Sequence, residues 1–278
     1  MTQQRSDISP VASDKEAVGY FKVVSFLRKM LAISSMEIRK LRHDPTELLT
    51  RAIQPALWLL LFGQVFSHRG VIPTGGLHYI DFLAPGILAQ SVLFIAIFNG
   101  ISIIWERDQG IVYKFLASPT PRSALVLGKA LSSGVRAFSQ AIIIYLLGIT
   151  LGVSLDLHPL SLIGVSAFVL LGAALFSTFS LIIACWVKTR ERFMGVGQVL
   201  TMPLFFASNA IYPTSMMPSW LQEISRFNPL TYQVDGLRAL MLTGGASDYG
   251  LALDVTILIG TLAILVTISA WIYPNIAR

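Results

Sequence analysis

The most suggestive pattern for chemistry is the Gly-Lys pair Gly128-Lys129, because such a pair ends the loop with which many nucleotide-binding proteins hold phosphate. That loop needs Ser or Thr directly after the lysine and an earlier glycine at a fixed spacing. Ala130 follows the lysine here, and no glycine stands at the earlier position. The chain therefore has no ATP-hydrolysing site of its own, and we predict no catalytic residue and no cofactor bound by this chain.

Histidine and cysteine are too few and too scattered for a metal site or a nucleophilic site. His43, His68, His78 and His158 lie in different connections, without His-x-x-x-His spacing. The one cysteine, Cys185, stands in an apolar run, where we interpret it as a small apolar residue. No Gly-x-Ser-x-Gly elbow is present. We predict no metal site.

Besides Ser and Thr hydroxyls, the polar side chains that stand out in the long apolar segments are amides, and Asp254 is the ionisable residue that stands out there. A transporter driven by protons or sodium usually carries acids, His or Arg at membrane depth, so this pattern argues against ion coupling. Amides suit a path for an amphipathic molecule, and equally suit hydrogen bonds between helices. We assign most of them to helix contacts and take Asn99 and Asn209 as candidate path residues. The amides are Gln54, Gln90, Asn99, Gln140, Gln198 and Asn209.

Composition places these groups in an all-α membrane protein. Of the 278 residues, 54% are hydrophobic and 13% are charged, whereas a soluble domain is about a quarter charged. A spanning helix needs about 20 apolar residues. Six segments meet this requirement, and we predict spans at about 48–66, 82–105, 136–153, 160–187, 193–212 and 251–273.

The distribution of Lys and Arg predicts the orientation of these spans. Of 21 basic residues, 18 lie in the N-terminal segment, in the second-to-third and fourth-to-fifth connections, or at the C-terminus. Only Arg69, Arg226 and Arg238 fall on the opposite side. By the positive-inside rule, we predict that both termini lie in the cytoplasm. We expect the protein to reside in the plasma or inner membrane of the cell. The net charge of +6 therefore indicates membrane topology, and we expect no nucleic-acid partner.

Three further units complete the predicted organisation. Residues 1–19 are polar and form a flexible cytoplasmic tail without a signal-peptide core. Residues 20–45 mix apolar and basic side chains, which favours an amphipathic helix on the membrane surface over a soluble helical arm. Residues 46–278 form the transmembrane domain.

Two connections are longer and more patterned than simple turns. The first runs from Trp105 to Lys129. It begins with charged residues and Gly110, continues with apolar residues, and is interrupted by Pro119 and Pro121. This pattern indicates either a short helix along the cytoplasmic surface or a solvated turn. The second, from Pro213 to Gly250, is too apolar for a free loop and too broken to span. It predicts short re-entrant helices at the outer side.

With these two motifs the sequence resembles the permease subunits of ABC-2 type transporters, over nearly its whole length. It is most similar to daunorubicin/doxorubicin-resistance permeases and the nodulation lipo-oligosaccharide export permease. The resemblance implies that the first motif is a coupling helix that contacts an ATPase subunit: Glu106, Arg107, Gly110, Phe115, Leu116, Pro119, Arg122, Gly128 and Lys129. It implies that the second is an outer re-entrant gate: Asn228, Pro229, Leu230, Thr231, Tyr232, Asp235 and Arg238.

One position departs from the family pattern. Ile111 follows Gly110, and Tyr113-Lys114 stand where acidic residues are common in the family. This bears on which ATPase surface is matched, and it leaves the coupling role as predicted.

The resemblance implies a permease subunit of an ATP-driven exporter that moves an amphipathic, drug-like or lipid-linked substrate. It also implies a separate ABC ATPase that binds ATP and Mg²⁺, and a second permease subunit, which we expect to be identical. Two alternatives stay open at this point. One is an ion-coupled multidrug transporter, and the other is a membrane assembly subunit that transports nothing.

Overall fold

The computed structural model describes residues 53–67, 74, 76–111 and 122–273, and within these residues the fold is helical, without strands. A single isolated bridge pairs Leu155 with Leu242. The helices are α1 (Ile53–Phe66), α2 (Tyr79–Phe98), α3 (Gly100–Asp108), α4 (Arg122–Thr150), α5 (Pro159–Trp186), α6 (Arg190–Phe206), α7 (Ser219–Phe227), α8 (Pro229–Met241) and α9 (Leu251–Ile272).

Four helical segments of the described chain are long and apolar enough to cross a membrane. They are Tyr79–Asp108, Leu125–Thr150, Pro159–Trp186 and Leu251–Ile272. They correspond to the predicted second, third, fourth and sixth spans, which confirms an all-helical, multi-pass membrane protein. The predicted first span is described only from Ile53 onward, and the predicted fifth span is the 17-residue helix α6. The count of six spans stays a prediction.

Helix α2 forms the centre of the bundle. It is apolar around its whole circumference, a pattern typical of a helix enclosed by others, and 17 of its 20 residues are buried. It contacts α4, α5 and α8. Helix α9 is equally apolar, yet its buried residues are only Asp254, Leu258, Ser269 and Ile272. An apolar helix with so much exposed surface fits direct contact with lipid.

The end of α6 differs from the predicted end of the fifth span. We expected a span to Tyr212, but the helix ends at Phe206 and the following residues form turns. The reason is a close approach to α2. A Cβ on Gly86 would lie 2.2 Å from the carbonyl oxygen of Ala210, so the chain passes directly over the glycine. The hydroxyl of Tyr79 then donates a hydrogen bond to the carbonyl of Ile211 at 3.1 Å.

The start of α4 also differs from the prediction. The third span was expected from residue 136, but the helix already begins at Arg122. Gly128 and Lys129 therefore lie on a continuous helix and not in a connection. No glycine or proline interrupts the sequence between Arg122 and Leu127, so the helix extends beyond its most apolar part.

The two ends of the bundle are built differently. The Glu106 end is formed by the last turn of α3, the end of α5 and the starts of α4 and α6. The Asp235 end is formed by α7, α8, the starts of α2 and α9, and the connection after α4. At the Asp235 end, the Asp81 carboxylate accepts from the amide of Ser154 at 3.0 Å, and the amide of Asp156 donates to the carbonyl of Met241 at 2.8 Å. These bonds fix the connections to the core.

Candidate functional site

The Glu106 end is held by three consecutive charged residues in the last turn of α3. Glu106 forms an ion pair with Lys129 of α4, and both side chains are largely shielded from solvent, 24% and 19% exposed. Because shielded charges attract more strongly than those in bulk water, this pair ties α3 to α4. Both residues belong to the predicted coupling motif, and the structure brings them into direct contact.

Arg107 binds the end of α5. Its guanidinium donates to the carbonyl of Lys188, and at 3.5 Å to the carbonyl of Val187. Carbonyls at the end of a helix lack partners within that helix, and a cation there also interacts favourably with the helix dipole. Arg107 therefore connects α3 to the end of α5 through the backbone.

Asp108 binds the start of α6. Its carboxylate lies 3.1 Å from the Arg190 guanidinium, and the same guanidinium lies 4.3 Å from the centre of the Trp105 ring. The ion pair is about 40% exposed, so its own contribution is at most about 1 kcal/mol. With Glu106 and Arg107, it links the last turn of α3 to three other helices.

Gly110 ends helix α3. Its φ is +72°, a left-handed conformation that favours glycine, and its amide donates to the carbonyl of Arg107 at 2.9 Å. Phe115, Leu116 and Pro119 of the coupling motif lie outside the described residues. Arg122 is the first residue of α4, and Gly128 is buried one position before Lys129.

At the Asp235 end, the predicted gate motif begins at a corner between helices. Asn228 lies between α7 and α8, and its Oδ1 accepts from the amide of Leu230 at 3.0 Å, which caps α8. Its Nδ2 donates to the carbonyls of Leu204 at 2.7 Å and Ala207 at 3.3 Å. One side chain thus caps the start of α8 and the end of α6. Pro229 occupies the first helical position, where its missing amide costs nothing.

The next residues of the motif fix α7 against α8. The hydroxyls of Thr231 and Ser225 lie 3.0 Å apart, and both are buried. The Tyr232 hydroxyl donates to the carbonyl of Arg226 at 2.7 Å. Leu230 is fully buried. The motif therefore forms a tightly bonded corner between α7, of 9 residues, and α8, of 13 residues.

Asp235 organises the connection from α8 to α9. Its carboxylate accepts from the amides of Asp248 and Tyr249 at 3.1 and 3.0 Å, and from the Ser247 hydroxyl at 2.7 Å. The same hydroxyl lies 2.9 Å from Asp254 of α9. Ser247 lies between two buried carboxyl groups, and because its hydroxyl has one proton it donates to only one of them at a time.

Arg238 lies one turn after Asp235 and is also buried. Its guanidinium donates to the carbonyl of Asn209 at 2.7 Å and stacks 3.8 Å above the Phe82 ring. It thereby connects α8 to α2 and to the turn after α6. A buried charge that is paired with carbonyls and an aromatic face marks a position that tolerates little change.

The two amides that we proposed as path residues have different surroundings. Asn99 lies at the break between α2 and α3, where its carbonyl accepts from the Ser102 hydroxyl at 2.7 Å. Its side-chain Nδ2 is buried without a partner in the described structure, as are both side-chain polar atoms of Asn209. Neither residue lines the groove or the pocket described below, and their place in a substrate path stays a prediction.

A groove with both amide and apolar lining, which was not predicted from the sequence, lies between α1, α2 and α4. Its volume is about 380 Å³. Three of the amides that we had assigned mainly to helix contacts line it: Gln54, Gln90 and Gln140. No charged side chain of the described chain lines it, and the remaining lining residues are Ser91, Pro55, Phe94, Ile95 and Phe98. The helical spacing of 90, 91, 94 and 98 could have signalled one shared face.

Acidic residues at the Asp235 end were also missed. Asp81 was placed outside the second span, but it lies in the first turn of α2 and is 3% exposed. In the connection after α4, Asp156 accepts from the Ser161 hydroxyl at 2.6 Å and from the amide of His158 at 2.9 Å. These two bonds lower the pKa of Asp156, so it stays charged. No group of three potential metal ligands occurs within the described ranges.

Apolar helices with charged groups concentrated at two ends define a multi-pass membrane protein. A family profile described as "ABC-2 type transporter" matches residues 28–242, and the chain belongs to this family. It is a transport permease by family, with the membrane location that this class implies.

Three relatives illustrate the match. The chain is 32% identical over 218 residues to a putative transport permease, ycf38, of Cyanophora paradoxa, covering 77% of this chain and 74% of the relative. It is 26% identical to the daunorubicin resistance ABC transporter permease protein DrrB1 of Streptomyces coeruleorubidus, covering 84% and 82%. It is 25% identical to the inner membrane transport permease YadH of Escherichia coli K12, covering 67% and 72%.

Proposed function

We propose that this chain is the transmembrane subunit of an ATP-driven exporter, and that a separate ABC ATPase docks at its Glu106 end. The observation that carries the proposal is the linkage of Glu106, Arg107 and Asp108 to three other helices. A force applied at the last turn of α3 reaches α4 through Lys129, α5 through the carbonyls of Val187 and Lys188, and α6 through Arg190. A partner that moves this turn therefore moves most of the bundle together.

The remaining parts of the proposal follow from the same layout. The Glu106 end faces the cytoplasm, since the basic connections gather there. The chain has six spans, namely the four long helices together with α1 and α6, and both termini lie in the cytoplasm. Two copies of the chain enclose the path, because one bundle has its centre filled by α2.

At the outer side, we propose that α7 and α8 form the re-entrant gate. Helices of 9 and 13 residues extend only about 14 and 20 Å, less than the roughly 30 Å of a hydrocarbon core. Their side chains at Asn228, Tyr232 and Asp235 form hydrogen bonds to other parts of the protein, as irregular backbone at membrane depth requires.

We further propose that the groove between α1, α2 and α4 contacts the substrate. Amide and hydroxyl groups beside aromatic rings suit an amphipathic molecule with uncharged hydrogen-bonding groups. The relative that is named for daunorubicin resistance is compatible with a substrate of this kind.

Ion coupling is the weaker alternative. The buried acids Asp81, Asp235 and Asp254 all lie at one end of the bundle, where Asp81 and Asp235 accept hydrogen bonds from backbone amides. Within the described chain they form no series across the membrane of the kind that proton relays use.

The test is reconstitution of the chain in liposomes, alone and with the ABC ATPase encoded nearest to it. We expect no ATP hydrolysis by the chain alone. With the ATPase, we expect hydrolysis that vanadate inhibits and export that continues when proton and sodium gradients are collapsed. Robust hydrolysis by the chain alone, or export that stops when the gradients are collapsed while ATP stays high, would contradict the proposal.

A further inference from the structure

An open pocket of about 710 Å³ lies beside the Glu106 end, between the end of α5 and the first turns of α6. Two basic side chains, Lys188 and Arg192, line it. At the same end, Arg107, Lys129 and Arg190 all have acidic or carbonyl partners. Lys188 and Arg192 form no side-chain ion pair within the described residues. This pocket therefore presents two positive charges that the described chain leaves without an acidic partner.

The acidic side chains of α6 and of the last turn of α3 form no ion pair with Lys188 or Arg192 in the described chain. Glu191 is the one acidic residue of α6, and it is exposed without an ion pair to either basic residue. Asp108, the acid of the adjoining turn, is already paired with Arg190 at 3.1 Å. The pocket is thus suited to an anion supplied from outside the chain.

Below the basic residues the pocket continues as an apolar strip. Gly195, Val199 and Leu200 follow Arg192 at spacings of three to eight residues, which places them along one side of α6. Val199 is 71% exposed, and no atom of the described chain lies within 4 Å of the position that a Cβ on Gly195 would take. A soluble anion would need no such strip, whereas an alkyl chain attached to an anion fits it.

The position of the pocket along the bundle supports the same ligand. It lies where α5 ends at Trp186 and α6 begins at Arg190. Trp186 lines the pocket and is 76% exposed, and Trp is enriched at the level of lipid headgroups. Basic pockets between membrane helices on the cytoplasmic side are suited to anionic headgroups.

We propose that this pocket binds one anionic phospholipid per chain, with its phosphate on Lys188 and Arg192 and one acyl chain along Gly195, Val199 and Leu200. The site adjoins the proposed coupling end directly, since Arg107 donates to the backbone carbonyl of the same Lys188. The lipid would thus brace the segment to which Arg107 and Asp108 attach. Binding itself does not depend on the proposed export function.

The test is native mass spectrometry of the full chain, purified in mild detergent, stripped of lipid and titrated with dioleoylphosphatidylglycerol. We expect one lipid per chain to be retained, and binding of dioleoylphosphatidylcholine to be weaker. Lys188→Gln and Arg192→Gln should each weaken phosphatidylglycerol binding about fivefold, because a basic residue near an anionic membrane contributes roughly 1 kcal/mol. Val199→Asn should weaken binding of the long-chain lipid without removing a charge.

Arg226→Gln is the matched control, because it removes one exposed basic side chain at the Asp235 end, where Arg226 pairs with Glu223. It should leave lipid binding unchanged. Equal binding of the two lipids, or unchanged binding in both basic-residue variants, would overturn the proposal. Displacement of the lipid by millimolar inorganic phosphate would reduce the site to an anion site and overturn the lipid assignment. A shift from dimer to monomer in Val199→Asn, without loss of lipid, would reassign this face to subunit contact.

Discussion

The side chain of Asn228 donates a 2.7 Å hydrogen bond to the carbonyl of Leu204, which lies 24 residues earlier at the end of α6. Its other side-chain atom caps α8. One residue therefore fixes the angle between α6 and α8.

Asn228→Ala should destabilise the protein by about 1–2 kcal/mol, because it removes a helix cap together with a buried donor to the α6 carbonyls. Asn228→Asp keeps the acceptor that caps α8 and loses the donor to Leu204. We expect it to melt between the wild type and Asn228→Ala in thermal unfolding measured in detergent. Melting of Asn228→Asp at the wild-type temperature would mean that the bond to α6 contributes nothing.

Gly86→Ala should be strongly destabilising, because its Cβ would lie 2.2 Å from the carbonyl oxygen of Ala210 and the backbone there must move. Overpacking of this kind costs about 1–3 kcal/mol. Gly260→Ala is the matched control, since Gly260 lies within α9 and a Cβ added there would meet no atom of the described chain within 4 Å. It should melt at or above the wild-type temperature, because Ala favours helix. Similar melting of the two variants would contradict the close approach.

Glu106→Lys should abolish co-purification with the ATPase and ATP-dependent transport, because it places two positive charges in contact at Lys129. The double variant Glu106→Lys/Lys129→Glu restores opposite charges across α3 and α4. We expect it to recover a substantial part of ATPase binding and transport. If the single variant transports as well as the wild type, the coupling assignment fails.

The control for this exchange is Glu223→Lys. It reverses the charge of Glu223, which forms an exposed ion pair with Arg226 at the Asp235 end of the bundle. It should change ATPase binding little, because exposed pairs contribute at most about 1 kcal/mol and this one lies far from the proposed docking end. Loss of binding in this control would indicate a general effect of charge on assembly.

Gln90→Ala and Gln140→Ala should raise the substrate concentration for half-maximal transport about two- to tenfold, with ATPase binding unchanged. The expected size is that of one hydrogen bond, about 0.5–1.5 kcal/mol. Gln198→Ala is the control, since Gln198 is an exposed amide of α6 outside the groove. Equal effects of all three variants on transport would remove the groove from the substrate path.

Local sequence predicted the helical class and much of the site because the relevant forces act along the chain. Long apolar runs required membrane helices, and the four long helices lie where these runs predicted. Asn228 and Gly110 are residue types that suit a helix cap and a left-handed turn, and such conformations depend on neighbours within a few residues, although Asn228 was predicted only as part of the gate motif. The family resemblance carried by these motifs was confirmed by the match over residues 28–242.

Only the tertiary structure decided which distant groups meet. Nothing in the sequence pairs Arg107 with the carbonyl of Lys188, or Asp108 with Arg190, because the partners are about 80 residues apart and each contact depends on how helices pack. The same holds for the three glutamines, whose shared groove forms only when α1, α2 and α4 are placed together. Hydrophobicity determines that each helix enters the membrane, whereas side-chain packing and long-range hydrogen bonds determine which faces of the helices meet.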